Sequence, residues 1–228
     1  MSAAEGIAGR TVLVTGAGGY VGCVLVAELL ARGARVVALD RFFFGRELLE
    51  EAAGGSNRVS LLRKDIRDLG PADFEGVDTV IDLAALSNDP SGDLDPGLTW
   101  AINGEGRRAV ARAAKTGGVS RFVMSSTCSI YGAAAEGWSD ETTPPNPVSI
   151  YARSNNEAET AILAMSGEGF VSTALRNATV FGVSRRMRFD LVVNLMTLSA
   201  FENGVITIMG GGKQWRPLVH VRDVAHGL

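Results

Sequence analysis

The stretch TGAGGYVG, residues 15–22, decides the fold of this chain. It places Gly16, Gly19 and Gly22 between an apolar β-branched run, TVLVT (11–15), and a segment whose apolar residues recur at helical spacing. Such a turn needs glycine where the backbone bends sharply, where it approaches a pyrophosphate, and where the helix packs on the strand. The pattern therefore predicts a dinucleotide-binding turn, with a merely structural glycine turn as the alternative.

The rest of the chain repeats the same order of strand, turn and helix. Apolar runs predict strands at 11–15, 35–40, 58–62, 79–86, 121–126 and 170–177, and helical spacing predicts helices over 20–33, 97–116 and 149–166. Buried apolar strands that alternate with helices indicate an α/β fold, a Rossmann-type doubly wound parallel sheet with helices on both faces.

The pattern changes after about residue 180. We expect residues 1–180 to form the dinucleotide-binding domain and residues 181–228 to form a partial substrate-binding region packed on it. Within that region, VITIMGGGKQWRPLVHV (205–221) predicts two short strands around a glycine turn. The chain then stops within a predicted helix, so we expect an incomplete, truncated C-terminal lobe.

Composition excludes several classes of partner. The chain has 228 residues, a net charge of −3, 46% hydrophobic and 21% charged residues, which is typical of a soluble globular protein. This charge gives no electrostatic reason to expect nucleic acid or an anionic membrane as partner. The N-terminus lacks the apolar run of a signal peptide, and no 18-residue apolar stretch is present. We therefore expect a cytoplasmic protein.

Cysteine and histidine are too few for a metal site. Cys23 and Cys128 lie apart in apolar stretches, which favours buried thiols in a reducing compartment, although a disulfide is conceivable. The two histidines, His220 and His226, form no cluster with metal-ligand spacing. We expect no bound metal.

The acid at the end of the second predicted strand bears on cofactor choice. Asp40 stands where a carboxylate can accept hydrogen bonds from the adenosine ribose hydroxyls and repel a 2′-phosphate, which favours NAD over NADP. Arg41 weakens this preference, because a guanidinium could pair with that phosphate. The alternative for Asp40 is a solubilising acid at a strand end.

Further motifs follow in the order of one known family. They are TGAGGYVG (15–22), KDIRD (64–68), DLAAL (82–86), INGEG (102–106), SSTCSIYG (125–132), LRNATVFG (175–182) and WRPLVHVRDVA (215–225). With these motifs and Tyr151, the chain resembles the extended short-chain dehydrogenase/reductase family, which contains nucleotide-sugar epimerases, dehydratases and reductases.

The resemblance implies a cofactor site for NAD. Its residues would be Gly16, Gly19, Tyr20, Val21, Gly22, Asp40, Arg41, Asp65, Ile66, Ala84, Ala85, Tyr151 and Asn155. Asp65 and Ile66 would lie beside the adenine, and Ala84 and Ala85 beneath the nicotinamide half. Asn103 would be a structural group that is held in place by a helix.

The resemblance also implies catalytic residues, with one departure. Thr127 stands at the position of the family's catalytic Ser or Thr, and Tyr151 at that of its catalytic tyrosine. Family members carry a lysine four residues after this tyrosine, where its ammonium lowers the pKa of the phenol. This chain has Asn155, which can bind a ribose hydroxyl but has no charge, so we expect proton exchange to be impaired. Arg153 is no simple substitute, because two residues is about 200° around a helix.

Two residues would bind the substrate, and two functions remain open. Asn194 and Arg216 stand where relatives hold the diphosphate of the sugar nucleotide, although Asn194 could be an ordinary amide on a helix surface. The first hypothesis is an NAD-dependent epimerase/dehydratase-type enzyme that acts on a nucleotide-activated sugar by transient hydride transfer at a ring carbon. The alternative is a catalytically impaired NAD-binding module with a regulatory or assembly role. We expect a homodimer through the helices 97–116 and 149–166.

Overall fold

The computed structural model describes residues 6–87, 89–132, 137–208, 210–213 and 215–228. The strands are β1 Thr11–Thr15, β2 Arg35–Asp40, β3 Val59–Arg63, β4 Thr79–Asp82, β5 Arg121–Thr127, β6 Val171–Asn177, β7 Thr179–Phe181 and β8 Leu218–His220. The helices are α1 Tyr20–Ala31, α2 Glu47–Ala53, α3 Asp89–Leu94, α4 Pro96–Thr99, a π-helix Trp100–Gly106, α5 Arg107–Thr116, α6 Ile150–Leu163, α7 Val192–Asn203 and α8 Val221–Gly227.

In the described ranges, six strands form one parallel sheet in the order β3-β2-β1-β4-β5-β6. This is the strand order of the Rossmann fold, in which the connections reverse direction between β1 and β4. The predicted fold is therefore confirmed. Ligands bind such sheets in the crevice at the carboxyl ends of the strands beside this reversal.

The core has two layers because successive strand residues point to opposite faces. Leu13 packs with the layer that includes Val110 of α5 and Ile162 of α6. Its neighbours Val12 and Val14 pack with the layer formed under α1 and α8. Helices therefore cover both faces of the sheet, as the continuous apolar strands predict.

The C-terminal region differs from its sequence-based prediction. β7 and β8 form a separate parallel pair, and α8 packs against α1. The first strand predicted within residues 205–221 is wrong, because residues 205–208 form no strand and Val205, Ile206 and Ile208 are exposed. Met209 lies outside the described residues. A β-branched run without a pairing strand cannot satisfy its backbone groups as a strand.

The helix predicted over 97–116 is present but is not uniform. It consists of α4, the π-helix and α5, which follow one another without a break. Among the described residues, no helix is long and apolar enough to span a membrane.

Candidate active site

The glycine turn brings β1, α1 and β4 closer together than side chains allow. Gly16 has φ +68°, and a Cβ atom there would lie 2.9 Å from the backbone nitrogen of Ala84. A Cβ atom at Gly22 would collide with the carbonyl oxygens of Gly16 and Ala17. Glycine is therefore required at both positions, once for its conformation and once for helix packing.

The helix that follows the turn has an uncapped N-terminus. α1 begins at Tyr20 after Gly19, which provides no side-chain cap, and its first turn carries no acidic residue. The first amides of a helix have no partner within the helix and form the positive end of its dipole. The amides of Tyr20, Val21 and Gly22 consequently present donors and positive potential at the glycine turn. These residues fit the pyrophosphate of a dinucleotide.

Asp40 is fixed beside the glycine turn. Its Oδ2 accepts a hydrogen bond from the Gly18 amide at 3.0 Å, and its Oδ1 accepts one from the Phe42 amide at 2.7 Å. Arg41 turns away from it, because its guanidinium pairs with Asp65 at 2.9 Å. The carboxylate of Asp40 is therefore held at the glycine turn, while the Arg41 guanidinium is paired with Asp65.

A cavity of about 520 Å³ lies beyond Asp40, at the carboxyl ends of β2 and β3. It is lined by Arg41, Phe43, Arg63, Lys64, Asp65, Arg67 and Asp68. Hydrogen bonding from Arg67, opposed by partial burial, lowers the pKa of Asp65 to about 2. Two residues of the predicted cofactor site, Arg41 and Asp65, line this cavity. The Asp65 carboxylate stays ionised at neutral pH.

The loop after β4 is held at both ends. Thr15 Oγ1 accepts hydrogen bonds from the amides of Leu83 and Ala84, both at 3.1 Å. At the other end, the side chain of Asn103 accepts from the Leu86 amide at 2.8 Å and donates to its carbonyl at 2.9 Å. Asn103 thus fixes the loop that contains Ala84 and Ala85, the residues predicted beneath the nicotinamide.

A buried ionic network lies directly below this loop. Asp82, fully buried at the end of β4, accepts a hydrogen bond from Thr15 at 2.6 Å and pairs with Arg107 Nε at 2.6 Å. Arg107 is 1% exposed, and its Nη1 donates to Oδ1 of Asn155 at 2.7 Å. Asn155 is also 1% exposed, and its Nδ2 donates to the Tyr151 carbonyl at 2.8 Å. The network joins β1, β4, α5 and α6.

The two predicted catalytic residues lie where β5 ends and α6 begins. Thr127 is the last residue of β5, and its Oγ1 accepts from the Ser129 amide at 3.1 Å, which leaves the hydroxyl hydrogen as a donor. Tyr151 is the second residue of α6, which packs on β5. The positive end of the α6 dipole favours negative charge at this position.

A second buried network holds α6 in register with the sheet. Glu159 of α6 accepts a hydrogen bond from Ser126 of β5 and pairs with Arg176 of β6 at 2.7 Å. Arg176 also donates to the Tyr131 hydroxyl at 2.6 Å. The middle of α6 is thereby fixed against β5 and β6.

Asn194 is engaged within the protein. Its Oδ1 accepts from the Gly182 amide at 3.1 Å, and its Nδ2 donates to the Tyr20 hydroxyl at 3.2 Å and the Arg188 carbonyl at 2.9 Å. It is 7% exposed, so the alternative of an ordinary surface amide is wrong. Its observed role is to fasten α7 to the start of α1, and a contact with a diphosphate stays a prediction.

Arg216 is exposed. Burial raises the pKa of the Cys128 thiol, and the positive charge of Arg216 opposes that rise. Both Cys23 and Cys128 are free thiols. An exposed guanidinium such as that of Arg216 is suited to pair with an anionic group of a ligand.

Residues 12–228 match the model of the NAD dependent epimerase/dehydratase family. The chain belongs to this family. It is 29% identical to a UDP-glucuronic acid decarboxylase 1 of Xenopus tropicalis, over 96% of this chain and 52% of that protein. It is 31% identical to a UDP-glucuronic acid decarboxylase 1 of Arabidopsis thaliana, over 95% of this chain and 50% of that protein. The chain thus spans about half the length of these curated relatives.

Solved structures of related proteins have the same fold. The structure of MoeE5 in complex with UDP-glucuronic acid and NAD superposes with a TM-score of 0.81 at 30% identity, covering 95% of this chain and 70% of that chain. The chain therefore has the fold of a protein whose structure was solved with both a nucleotide sugar and NAD.

Sequence reasoning missed Arg107, which the structure buries among the predicted site residues. In the sequence it is the first of two adjacent arginines in GEGRRAV, a pattern typical of a solvated helix face. The structure buries Arg107 and pairs the half-buried Arg108 with Glu157 at 2.6 Å. Only the absence of a lysine at position 155 could have prompted a search for another cation.

Proposed function

We propose that this chain is the NAD-binding and catalytic part of an enzyme that acts on a nucleotide-activated sugar by transient hydride transfer at a ring carbon. One observation carries the proposal: the uncapped glycine turn with Asp40 and the pair Thr127 and Tyr151 lie at the same carboxyl edge of one sheet. Relatives named as UDP-glucuronic acid decarboxylases and the MoeE5 complex support a nucleotide-sugar substrate.

The binding residues divide along the length of the dinucleotide. The pyrophosphate would lie on the turn formed by Gly16 and Gly19 and on the first amides of α1. Asp40 would accept from the adenosine ribose, with Asp65 and Ile66 beside the adenine. Ala84 and Ala85 would lie beneath the nicotinamide half, and Asn155 would donate to its ribose. When bound, NAD supplies a hydride acceptor that can return the hydride to the sugar.

The proton transfer is assigned to Tyr151 and Thr127. Tyr151 takes the proton of the sugar hydroxyl whose carbon loses the hydride, and returns it in the reverse step. The Thr127 hydroxyl donates a hydrogen bond to the reacting oxygen, where negative charge develops. The α6 dipole stabilises the ionised phenol. Arg216 would pair with the substrate diphosphate.

Incubation of the purified chain with NAD and a panel of UDP- and dTDP-sugars tests this function. We expect mass spectrometry and NMR to detect an epimerised, dehydrated or decarboxylated product from at least one sugar. Saturable NAD binding without any product across the panel would exclude the enzymatic function for this chain.

The second candidate is an NAD-binding module with a regulatory or assembly role. It is favoured by Asn155, an uncharged residue at the position where the family resemblance predicts lysine. The retention of Thr127, Tyr151 and Arg216 favours the enzyme, because a module would need none of them. The same incubation distinguishes the two functions.

We also propose a cytoplasmic homodimer. The two free cysteines are consistent with a reducing compartment. α5 and α6 pack side by side and are joined by the pair Arg108 and Glu157, so they could present one continuous face to a second copy. Light scattering at micromolar concentration should give twice the monomer mass, and a monomer would contradict the proposed assembly.

A further inference from the structure

Arg107 is buried in a position that is costly for a charge. It is one of the largest fully buried side chains, at 1% exposure. Its guanidinium donates to the Asp82 carboxylate and, through Nη2, to the carbonyls of Asp82 and Ser125, both at 2.9 Å. A buried ion pair often contributes little to stability when compared with apolar residues of the same volume. Its presence at the carboxyl ends of β4 and β5 therefore points to a role other than stability.

The contact between Arg107 and Asn155 fixes the orientation of the Asn155 amide. A guanidinium has donors and no acceptor, so the amide atom that faces Arg107 at 2.7 Å must be the oxygen. The amide nitrogen consequently points the other way, and one of its hydrogens is donated to the Tyr151 carbonyl at 2.8 Å. Among the described residues its second hydrogen has no acceptor.

We propose that Arg107 is a positioning residue for the cofactor. Its guanidinium supplies, from α5, the positive charge that the resemblance places at position 155 of α6. It acts through its hydrogen bond to Asn155. With its oxygen held by Arg107, Asn155 directs an N–H toward the ribose hydroxyl of the nicotinamide half. The inference rests on the proposed function, since it assumes that NAD occupies this crevice.

A mutant cycle on NAD affinity, measured by isothermal titration calorimetry, tests the coupling. One variant is Asn155→Ala. The other is the neutral-pair variant, Arg107→Met with Asp82→Asn, which removes the guanidinium without leaving its carboxylate partner buried and unpaired. Each should weaken NAD binding about tenfold, the value of one lost hydrogen bond. Their combination should also weaken it about tenfold, because Arg107 acts through Asn155.

The control is Arg108→Met, which removes the neighbouring cation from the same helix and should leave NAD affinity unchanged. A hundredfold loss in the combined variant, or wild-type affinity in the neutral-pair variant, would overturn the role of Arg107. If the neutral-pair variant does not fold, Arg107→Lys replaces it: it keeps the charge but lacks the planar fork that reaches Asn155. Its NAD affinity should fall several-fold, and wild-type affinity there would equally overturn the proposal. Failure of the unmodified chain to bind NAD would refute the proposed function as well.

Discussion

Replacing Asn155 with lysine should destabilise the protein, although it restores the residue that the family resemblance predicts. Asn155 Oδ1 and Arg107 Nη1 are 2.7 Å apart, and both side chains are 1% exposed. An ammonium group at ~4 Å from the guanidinium is repelled by about 4 kcal/mol at an effective dielectric constant of ~20. Arg107 also loses its acceptor, at a cost of about 1–3 kcal/mol.

Attraction between the new ammonium and Asp82 offsets part of this cost. We therefore expect Asn155→Lys to lower the free energy of unfolding by about 3–5 kcal/mol, out of a typical total of ~5–15 kcal/mol. Urea denaturation followed by circular dichroism measures the loss. Asn156→Lys is the matched control, because it makes the same substitution at the adjacent, less buried residue of α6.

The loss should depend on pH if charge repulsion causes it. Repulsion from Arg107 lowers the pKa of the introduced lysine in the folded state below its unfolded value of about 10.4. The unfolded state then binds more protons, so the stability deficit should shrink as pH rises toward 10. A variant as stable as the unmodified protein at pH 7 would refute the reasoning, and so would a deficit that does not change with pH.

Three further predictions follow from the structure. Asp40→Ala should weaken NAD binding about tenfold and reduce the preference for NAD over NADP, and equal affinity of the unmodified protein for both cofactors in titration would contradict this. Asp65, with a pKa of about 2, should stabilise the fold by about 1–2 kcal/mol above pH 4, a contribution lost as pH falls from about 4 to 2. Chemical denaturation of Asp65→Asn should therefore show a stability deficit at pH 6 that disappears near pH 2, and a deficit constant with pH would refute it. Burial raises the pKa of the Cys23 thiol to about 11, so iodoacetamide at pH 8 should label it only after unfolding, as peptide mass mapping would show.

Much of the fold could be predicted from the sequence because local signals agree with it. The glycine turn and the apolar runs identify β1, α1 and the other sheet strands, since a parallel sheet buries continuous apolar segments. The pairing of β7 with β8 could not be predicted, because it joins residues 179–181 to residues 218–220 and depends on tertiary contact. Residues 205–208 have β-branched composition but no pairing strand.

The candidate site residues that belong to a sequence motif could be named from the sequence. A residue whose place depends on packing could not. Gly16, Asp40, Thr127 and Tyr151 stand at positions with a fixed place in the fold. Arg107 has no such signal, because burial of an arginine depends on Asp82 and Asn155, which are distant in sequence. The expectation of impaired proton exchange considered only cations near position 155 in the sequence, such as Arg153, and so did not consider Arg107.

Tyr151→Phe tests the central claim, that the phenol of Tyr151 is the base of an NAD-dependent reaction on a nucleotide sugar. The measurement is product formation by NMR from the panel sugar that the unmodified chain converts, with NAD affinity determined in parallel by calorimetry. We predict that the variant retains NAD affinity within about threefold but forms product at least about a hundredfold more slowly, which matches the usual contribution of a general base. Product formation by the variant at the rate of the unmodified chain would contradict the account.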